Sequence, residues 1–237
     1  MKQAFRLALP CLLSVGLIGC FGGGAGRSFA QTIPPPSSVP LGTAIANLSV
    51  NGVSANMNIS GTINSVTVTG TATIMESPSA AATFNGVPCL SETTTVTGSV
   101  TGEGQTIPVA STAVGYYNTS HATLGVSSST EYDVAPSPIA YPATISVSDA
   151  AVVGTINRYT DSTMTFPLGT IKESYVVLAN PTSSSDLIVG FIEQTYDTAN
   201  NNTDNSQTYY KVTTSGSISL SSFSTQTSAS NVTFTAQ

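Results

Sequence analysis

The sequence predicts an all-β fold, an antiparallel meander of roughly ten to twelve strands that forms a barrel or a strongly twisted two-layer sandwich. Beyond Leu41 the chain is dominated by β-branched residues, and apolar residues alternate with threonine and serine at a period of two. Almost no segment repeats apolar residues at the helical spacing, so helices are not expected there. Several runs approach about ten residues, longer than the usual sandwich strand of about five or six, which favours the barrel or the twisted meander.

The first predicted strands are Val53 to Ile59 and a longer run that extends from Ile63 to Ile74. In the longer run Val66 and Val68 share one face, and threonines fill the other. Such alternation is expected of a sheet with one buried face.

A hairpin is predicted where Val96 to Val100 and Ile107 to Val114 flank the turn Gly102-Glu103-Gly104, because glycine tolerates the positive φ angles of tight turns. Three further strands are expected at Ala122 to Val126, Ile145 to Val147 and Val152 to Tyr159.

The most apolar runs are Tyr175 to Leu178 and Leu187 to Ile192, separated by the turn-rich segment Asn180 to Ser185. Their near-continuous apolar character and short connection predict paired central strands. A C-terminal series completes the meander, at Tyr209 to Val212, Ile218 to Phe223 and Val232 to Phe234.

The N-terminus has the pattern of a signal peptide, with Lys2 and Arg6 before an apolar run from Leu7 to Ile18 that is too short to span a bilayer as a helix. Leu17-Ile18-Gly19-Cys20 resembles the lipobox of bacterial lipoproteins. The resemblance implies removal of residues 1–19 and a mature chain that begins at a lipid-modified Cys20 and is anchored to a membrane. Phe21 stands where an aspartate tends to retain such proteins in the inner membrane, so the outer membrane is expected.

A second processing site lies at Ser28-Phe29-Ala30, where small residues occupy the positions that an ordinary signal peptidase reads. Cleavage there would give a periplasmic or secreted protein that carries no lipid. Residues 20–40, rich in glycine and then in proline, are interpreted as a flexible tether, and residues 41–237 as a single β-domain.

Charged residues make up only 8% of the 237-residue chain, so hydroxyl groups are expected to solvate most of its surface. After cleavage at Cys20 four basic residues face twelve acidic ones, a net charge of −8. This excess argues against nucleic-acid partners, which require basic patches. With so few titratable groups, stability is expected to vary weakly with pH.

Cys89 is the one cysteine expected in the folded domain, because Cys11 leaves with the signal peptide and Cys20 is acylated. Its apolar neighbours favour a buried small side chain over a reactive thiol. No disulfide is expected.

No catalytic residue, metal site or cofactor is assigned from the sequence. The single histidine, His121, is interpreted as a polar turn residue. Asp197 to Asn205 collects oxygen-bearing side chains as calcium sites do, but lacks the glycine and distal glutamate of an EF-hand and is interpreted as a hairpin loop. Glu173, Glu193 and the other carboxylates are expected to be mostly solvated.

The expected function is therefore that of a lipid-anchored envelope protein whose β-domain serves as a non-enzymatic structural or interaction module, with an envelope protein as a possible partner. The alternative is a lipocalin-like barrel that binds a small apolar ligand, with some of the nine tyrosines in contact with it. A hydrolase built on His121 ranks third. A transmembrane barrel is not favoured, because threonine, serine and glycine occupy the faces that would need an apolar band.

Overall fold

The computed structural model describes residues 34–237 of the chain. The predictions for the signal peptide, for Cys20 and for the alternative cleavage after Ala30 lie outside the described residues.

Twelve antiparallel strands close into a barrel, which confirms the predicted all-β meander and selects the barrel over the sandwich. Around the barrel the order is β2-β3-β5-β6-β7-β8-β10-β11-β12-β13-β14-β15, and β15 pairs again with β2. The elements in chain order are β1 Ser38–Val39, α1 Leu41–Asn51, β2 Val53–Ile63, β3 Val66–Glu76, β4 Ala80–Phe84, β5 Val87–Gly102, β6 Gln105–Tyr117, β7 Thr123–Ser128, β8 Tyr132–Ile139, β9 Ile145–Ser146, β10 Ala150–Tyr159, β11 Pro167–Ala179, β12 Asp186–Tyr196, β13 Asn202–Thr213, β14 Ile218–Thr227 and β15 Ser230–Ala236.

Closure depends on the length of β5, which is long enough to pair with two strands along one side. Its first residues pair with β4, and the stretch from Thr94 to Thr101 pairs with β3. The pairing of β3 with β5 joins the two ends of the meander, so the barrel leaves almost no open sheet edge.

Tight turns close the hairpins at the end of the barrel opposite α1. Glu103 and Gly104 have φ angles of 49° and 73°, as a two-residue hairpin turn requires, and the predicted hairpin of β5 and β6 is confirmed. The run expected from Ile63 to Ile74 is instead two strands, because Asn64 and Ser65 also take positive φ angles and form the turn between β2 and β3.

Alternation along the strands separates the polar outside from the inside. In β3 the residues Val68, Ala72 and Ile74 are buried, whereas Thr69 and Thr71 between Val68 and Ala72 are exposed. The outer surface is therefore covered largely by short hydroxyl side chains, in keeping with the low content of charge.

The helix α1 contradicts the expectation that no helix follows Leu41. Leu41 and Ala44 are fully buried, and Asn47 Nδ2 donates a hydrogen bond to the carbonyl oxygen of Gly216 at 2.9 Å. A segment of 11 residues with modest amphipathicity is marginal by itself, so tertiary burial stabilises it. The helix covers one end of the barrel.

The folded domain begins slightly before its predicted boundary. Val39, expected in the tether, is 1% exposed, and β1 pairs with β9. Ser38 and Val39 therefore belong to the folded domain and not to the predicted tether.

One part of the interior is packed by apolar side chains. Ile59, Phe234 and Phe223 are direct cross-strand neighbours on β2, β15 and β14, and each is at most 2% exposed. The rings of Phe223 and Phe234 lie 5.2 Å apart. We refer to these three residues as the apolar row.

Within residues 34–237, no helix is long and apolar enough to cross a membrane.

Candidate functional site

A cavity of about 170 Å³ lies inside the barrel beneath α1, and it is partly open to solvent. Strands from opposite sides of the barrel contribute to its walls, as do α1 and two loops. Its titratable and aromatic lining consists of Glu76, Glu92, Glu173, Glu193, Tyr117, Tyr141, Tyr210, Phe191 and His121. The barrel interior is therefore neither filled nor purely apolar at this end.

Two of the carboxyl groups belong to adjacent residues on neighbouring strands. Glu173 of β11 and Glu193 of β12 are direct cross-strand partners, with exposed fractions of 4% and 3%. Side chains in such register point to the same face, here the interior. We refer to Glu173 and Glu193 as the acidic pair. The expectation that these carboxylates are solvated is wrong, because β11 and β12 direct them into the barrel.

Two tyrosine hydroxyl groups hold carboxylates in place. The hydroxyl of Tyr141 donates to Glu173 Oε2 at 3.3 Å, and that of Tyr210 donates to Glu76 Oε1 at 2.9 Å. The second bond joins β13 to β3, which are not neighbours in the sheet. It therefore links two sides of the barrel through the interior.

Burial raises the pKa values of the cavity carboxyl groups. The pKa of Glu173 is about 7, as is that of Glu76, although the tyrosine hydrogen bonds lower both. The pKa of Glu193 lies well above its usual value because of burial first and then the negative charge of Glu173 and of two aspartates. Burial therefore favours the protonated form of both members of the acidic pair.

Three polar atoms that line the cavity have no hydrogen-bond partner among the described residues. They are Glu193 Oε2, Thr208 Oγ1 and His121 Nδ1. Glu193 and Thr208 are 3% and 1% exposed, so solvent at the protein surface does not satisfy these atoms. Unsatisfied buried polar atoms raise the energy of the folded state and are rare, so these atoms are placed to bond to whatever occupies the cavity, water included.

Aromatic and aliphatic side chains form the rest of the lining. The ring of Phe191 lies 4.9 Å from that of Tyr141 and 5.7 Å from that of Tyr210, and both pairs meet edge to face. Ile45 and Leu48 of α1 add aliphatic surface. The cavity thus places apolar surface beside carboxyl groups.

A charged cluster lies deeper in the barrel, below the acidic pair. Arg158 donates to both carboxylate oxygens of Glu131, at 2.7 and 3.0 Å. Asp133 lies close to this pair, and burial, assisted by the charge of Glu131, raises its pKa to about 7. The guanidinium of Arg158 therefore forms an ion pair with the Glu131 carboxylate.

His121 lies in a turn, as expected, and its side chain also lines the cavity. Asn118 Oδ1 accepts hydrogen bonds from the backbone of Ser120 and Ala122, and His121 has a φ angle of 59°. The charge of His121 lowers the pKa of Glu92, which burial raises. His121 Nδ1 accepts or donates no hydrogen bond within the described residues.

The loop that begins at Asp197 uses its carboxylate for its own turn. Asp197 Oδ1 accepts hydrogen bonds from the backbone nitrogens of Ala199 and Asn201, and the bonds from Asn201 lower the pKa of Asp197. In residues 34–237, no cluster of three or more His, Cys, Asp or Glu side chains is placed to hold a metal ion. Cys89 is buried, as expected, and forms no disulfide within the described residues.

The tyrosines divide between the cavity and other sites. Tyr117, Tyr141 and Tyr210 line the cavity. Tyr116 and Tyr132 instead stack on Phe84, at ring separations of 4.3 and 5.1 Å.

Sequence reasoning missed the acidic lining because its four glutamates come from four different strands. Glu193 follows Ile192 in an apolar run, and the pattern does not tell which of the two faces the interior. The available signal was a glutamate within an otherwise apolar central strand. Both faces of such a strand can be buried, so a glutamate there need not be exposed. Comparison with protein-family models, curated proteins and solved structures finds no match for this chain.

Proposed function

We propose that this protein is a lipid-anchored component of a bacterial envelope whose barrel binds a small organic molecule in its interior. The observation that carries the proposal is the cavity of about 170 Å³, lined by apolar surface and by buried polar atoms without partners. The proposed membrane anchorage rests on the sequence Leu17-Ile18-Gly19-Cys20 and its resemblance to a lipobox.

An unfilled interior favours ligand binding over a purely structural or interaction role. Protein interiors are normally close-packed, and voids larger than a water molecule are few. A cavity of about 150 Å³ lined by apolar side chains admits benzene. The cavity of this barrel is of similar size, so a molecule built around one small ring or a comparable aliphatic group fits.

The chemistry of the lining modifies the lipocalin-like alternative. That alternative assumed an apolar ligand, but Glu173, Glu193 and Thr208 place polar atoms among the apolar walls. A ligand that combines an apolar body with a polar group complements both. Binding without catalysis is proposed, because the cavity offers no histidine hydrogen-bonded to a hydroxyl nucleophile among the described residues.

The binding function is tested by filling the cavity. Ala113 lines it from β6, whereas Ala110 on the same strand is exposed, so Ala113→Leu and Ala110→Leu form a matched pair. Thermal unfolding of the full chain in detergent is measured with toluene, benzyl alcohol and benzylamine. We expect at least one probe to raise the Tm of the unmodified protein and of Ala110→Leu, but not that of Ala113→Leu. Failure of every probe, or equal binding by Ala113→Leu, contradicts the proposal.

The variant Cys20→Ala tests the proposed lipid anchorage. We expect the unmodified protein to fractionate with membranes and to carry the mass of a lipid at residue 20, and the variant to lose both properties. A mature protein that starts at Gln31 and carries no lipid contradicts anchorage and leaves the binding function to be judged by the cavity test.

A further inference from the structure

The carboxyl groups of the cavity lack a cationic partner within the described part of the chain. Four glutamates line the cavity, and no lysine or arginine does. Of the three basic residues between 34 and 237, Arg158 is paired with Glu131, and Lys172 and Lys211 alternate with inward residues and so face outward. The described residues therefore place four carboxyl groups around the cavity without a lysine or arginine beside them.

The acidic pair has a free acceptor directed at this space. Oε2 of Glu193, a residue only 3% exposed, has no hydrogen-bond partner, and Thr208 Oγ1 nearby in the lining is likewise unpaired. Glu173 beside it receives one bond, from Tyr141, to Oε2. A carboxylate can accept several hydrogen bonds, so the pair retains capacity for a donor-rich group.

Aromatic rings border the same space. Tyr141, Phe191 and Tyr210 line the cavity, and the ring of Phe191 contacts each of the two tyrosine rings edge to face. Aromatic rings attract cations through their quadrupole, and rings grouped around a cavity are a known means of binding ammonium groups. Carboxylate acceptors and aromatic surface thus select for the same kind of ligand.

We propose that the ligand of this cavity is a small organic cation, an ammonium group on a compact apolar or aromatic body, which donates to Glu193 and Glu173 while its body contacts Phe191. This inference rests on the proposed binding function and specifies its ligand class. A bare metal ion fits less well, because hard cations require six or more oxygen ligands and leave apolar walls without a role. A neutral ligand leaves the carboxyl charges unpaired, and an anion is repelled by them.

Protonation of the empty site supports the same ligand class. The groups that act on Glu193 are Glu173, Asp133 and Asp204, which raise its pKa, and Arg158, which lowers it. A bound ammonium group favours the ionised carboxylate and displaces the proton held in its place. Binding of an amine near neutral pH is therefore expected to release protons, whereas binding of an uncharged molecule is not.

The test compares three molecules of nearly equal shape and different charge. Titration calorimetry of the full chain at about pH 8 uses benzylamine, benzyl alcohol and benzoate. We expect benzylamine to bind at least about tenfold more tightly than benzyl alcohol, and benzoate not to bind. Repetition near neutral pH in buffers of different ionisation enthalpy measures proton release, expected for benzylamine alone.

A matched set of variants locates the effect. Glu193→Gln removes the charge but keeps the shape, and we expect it to abolish the preference for benzylamine while it preserves binding of benzyl alcohol. Glu173→Gln provides a second variant if the first fails to fold. Glu103→Gln, in an exposed turn at the other end of the barrel, is the control and should retain the preference.

The outcomes separate this inference from the function on which it rests. Equal affinity for amine and alcohol, or a preference that survives in both Glu193→Gln and Glu173→Gln, overturns the inference and leaves a binding protein for neutral ligands. Absence of binding by every probe overturns the proposed function as well.

Discussion

The apolar row and the acidic pair occupy equivalent places in the barrel but have opposite chemistry. Ile59, Phe234 and Phe223 are inward cross-strand neighbours, and so are Glu173 and Glu193. In both cases the alternation of the strands places the side chains inside. The same backbone arrangement therefore buries apolar surface on one side and ionisable groups on the other.

The two regions contribute to stability with opposite signs. Removal of the apolar row from water favours folding by roughly 25 cal/mol per Å² of buried area. Burial of the acidic pair opposes folding at neutral pH, as the raised pKa values of both groups record. Groups that lower stability and also line a cavity are typical of a functional site. The comparison thus assigns stability to the apolar row and the proposed ligand recognition to the acidic pair.

Among changes to the two regions, we expect truncation of a side chain in the apolar row to lower the free energy of unfolding most. Phe234 is 1% exposed and packs against Phe223, so Phe234→Ala leaves a cavity and should lower the free energy of unfolding by about 4 kcal/mol. Urea denaturation at neutral pH measures the change. Thr235→Ala, at an exposed position next to it, is the control and should cost much less. A cost below about 1 kcal/mol for Phe234→Ala would show that the apolar row does not carry stability.

Neutralising one member of the acidic pair is expected to have a smaller effect, on how the free energy of unfolding depends on pH. The pKa of Glu173 is about 7 in the folded protein, against an ordinary value of 4.5, because burial disfavours its charge. The folded state therefore binds the proton more tightly, so this contribution to stability is complete below pH 4.5 and is lost as the pH rises through about 7. We expect Glu173→Gln to remove about 3 kcal/mol of the difference in unfolding free energy between pH 4.5 and about pH 8.

The measurement is urea denaturation of both proteins across this pH range. Glu103→Gln serves as the control and should leave the difference in place, since its side chain lies in an exposed turn. A pH profile of Glu173→Gln that matches the unmodified protein would contradict the role of Glu173. The weak pH dependence expected from composition is contradicted by these pKa values, because a few fully buried carboxyl groups matter more than the total number of titratable groups.

Local sequence patterns were sufficient to locate most strands. The pairing of Tyr175 to Leu178 with Leu187 to Ile192 is confirmed, with Tyr175 opposite Phe191. The strand β8 was missed because Pro136 and Pro138 interrupt its pattern; both lie where its pairing with β7 skips from Val134 to Ile139. The helix α1 was missed for a different reason, since burial against the barrel stabilises it more than its own propensity does.

The sequence by itself determined the class of fold, because alternation at a period of two and hairpin turns are encoded within a few neighbouring residues. It also shows the excess of negative charge, whereas the resemblance of its first twenty residues to an export signal stays a prediction. Only the tertiary structure decided that β3 pairs with β5 to close the barrel, and that Glu173 and Glu193 face each other inside it. Closure and strand register join residues that are distant in the chain, so no local pattern reveals which face becomes the interior or which carboxyl groups lose their water.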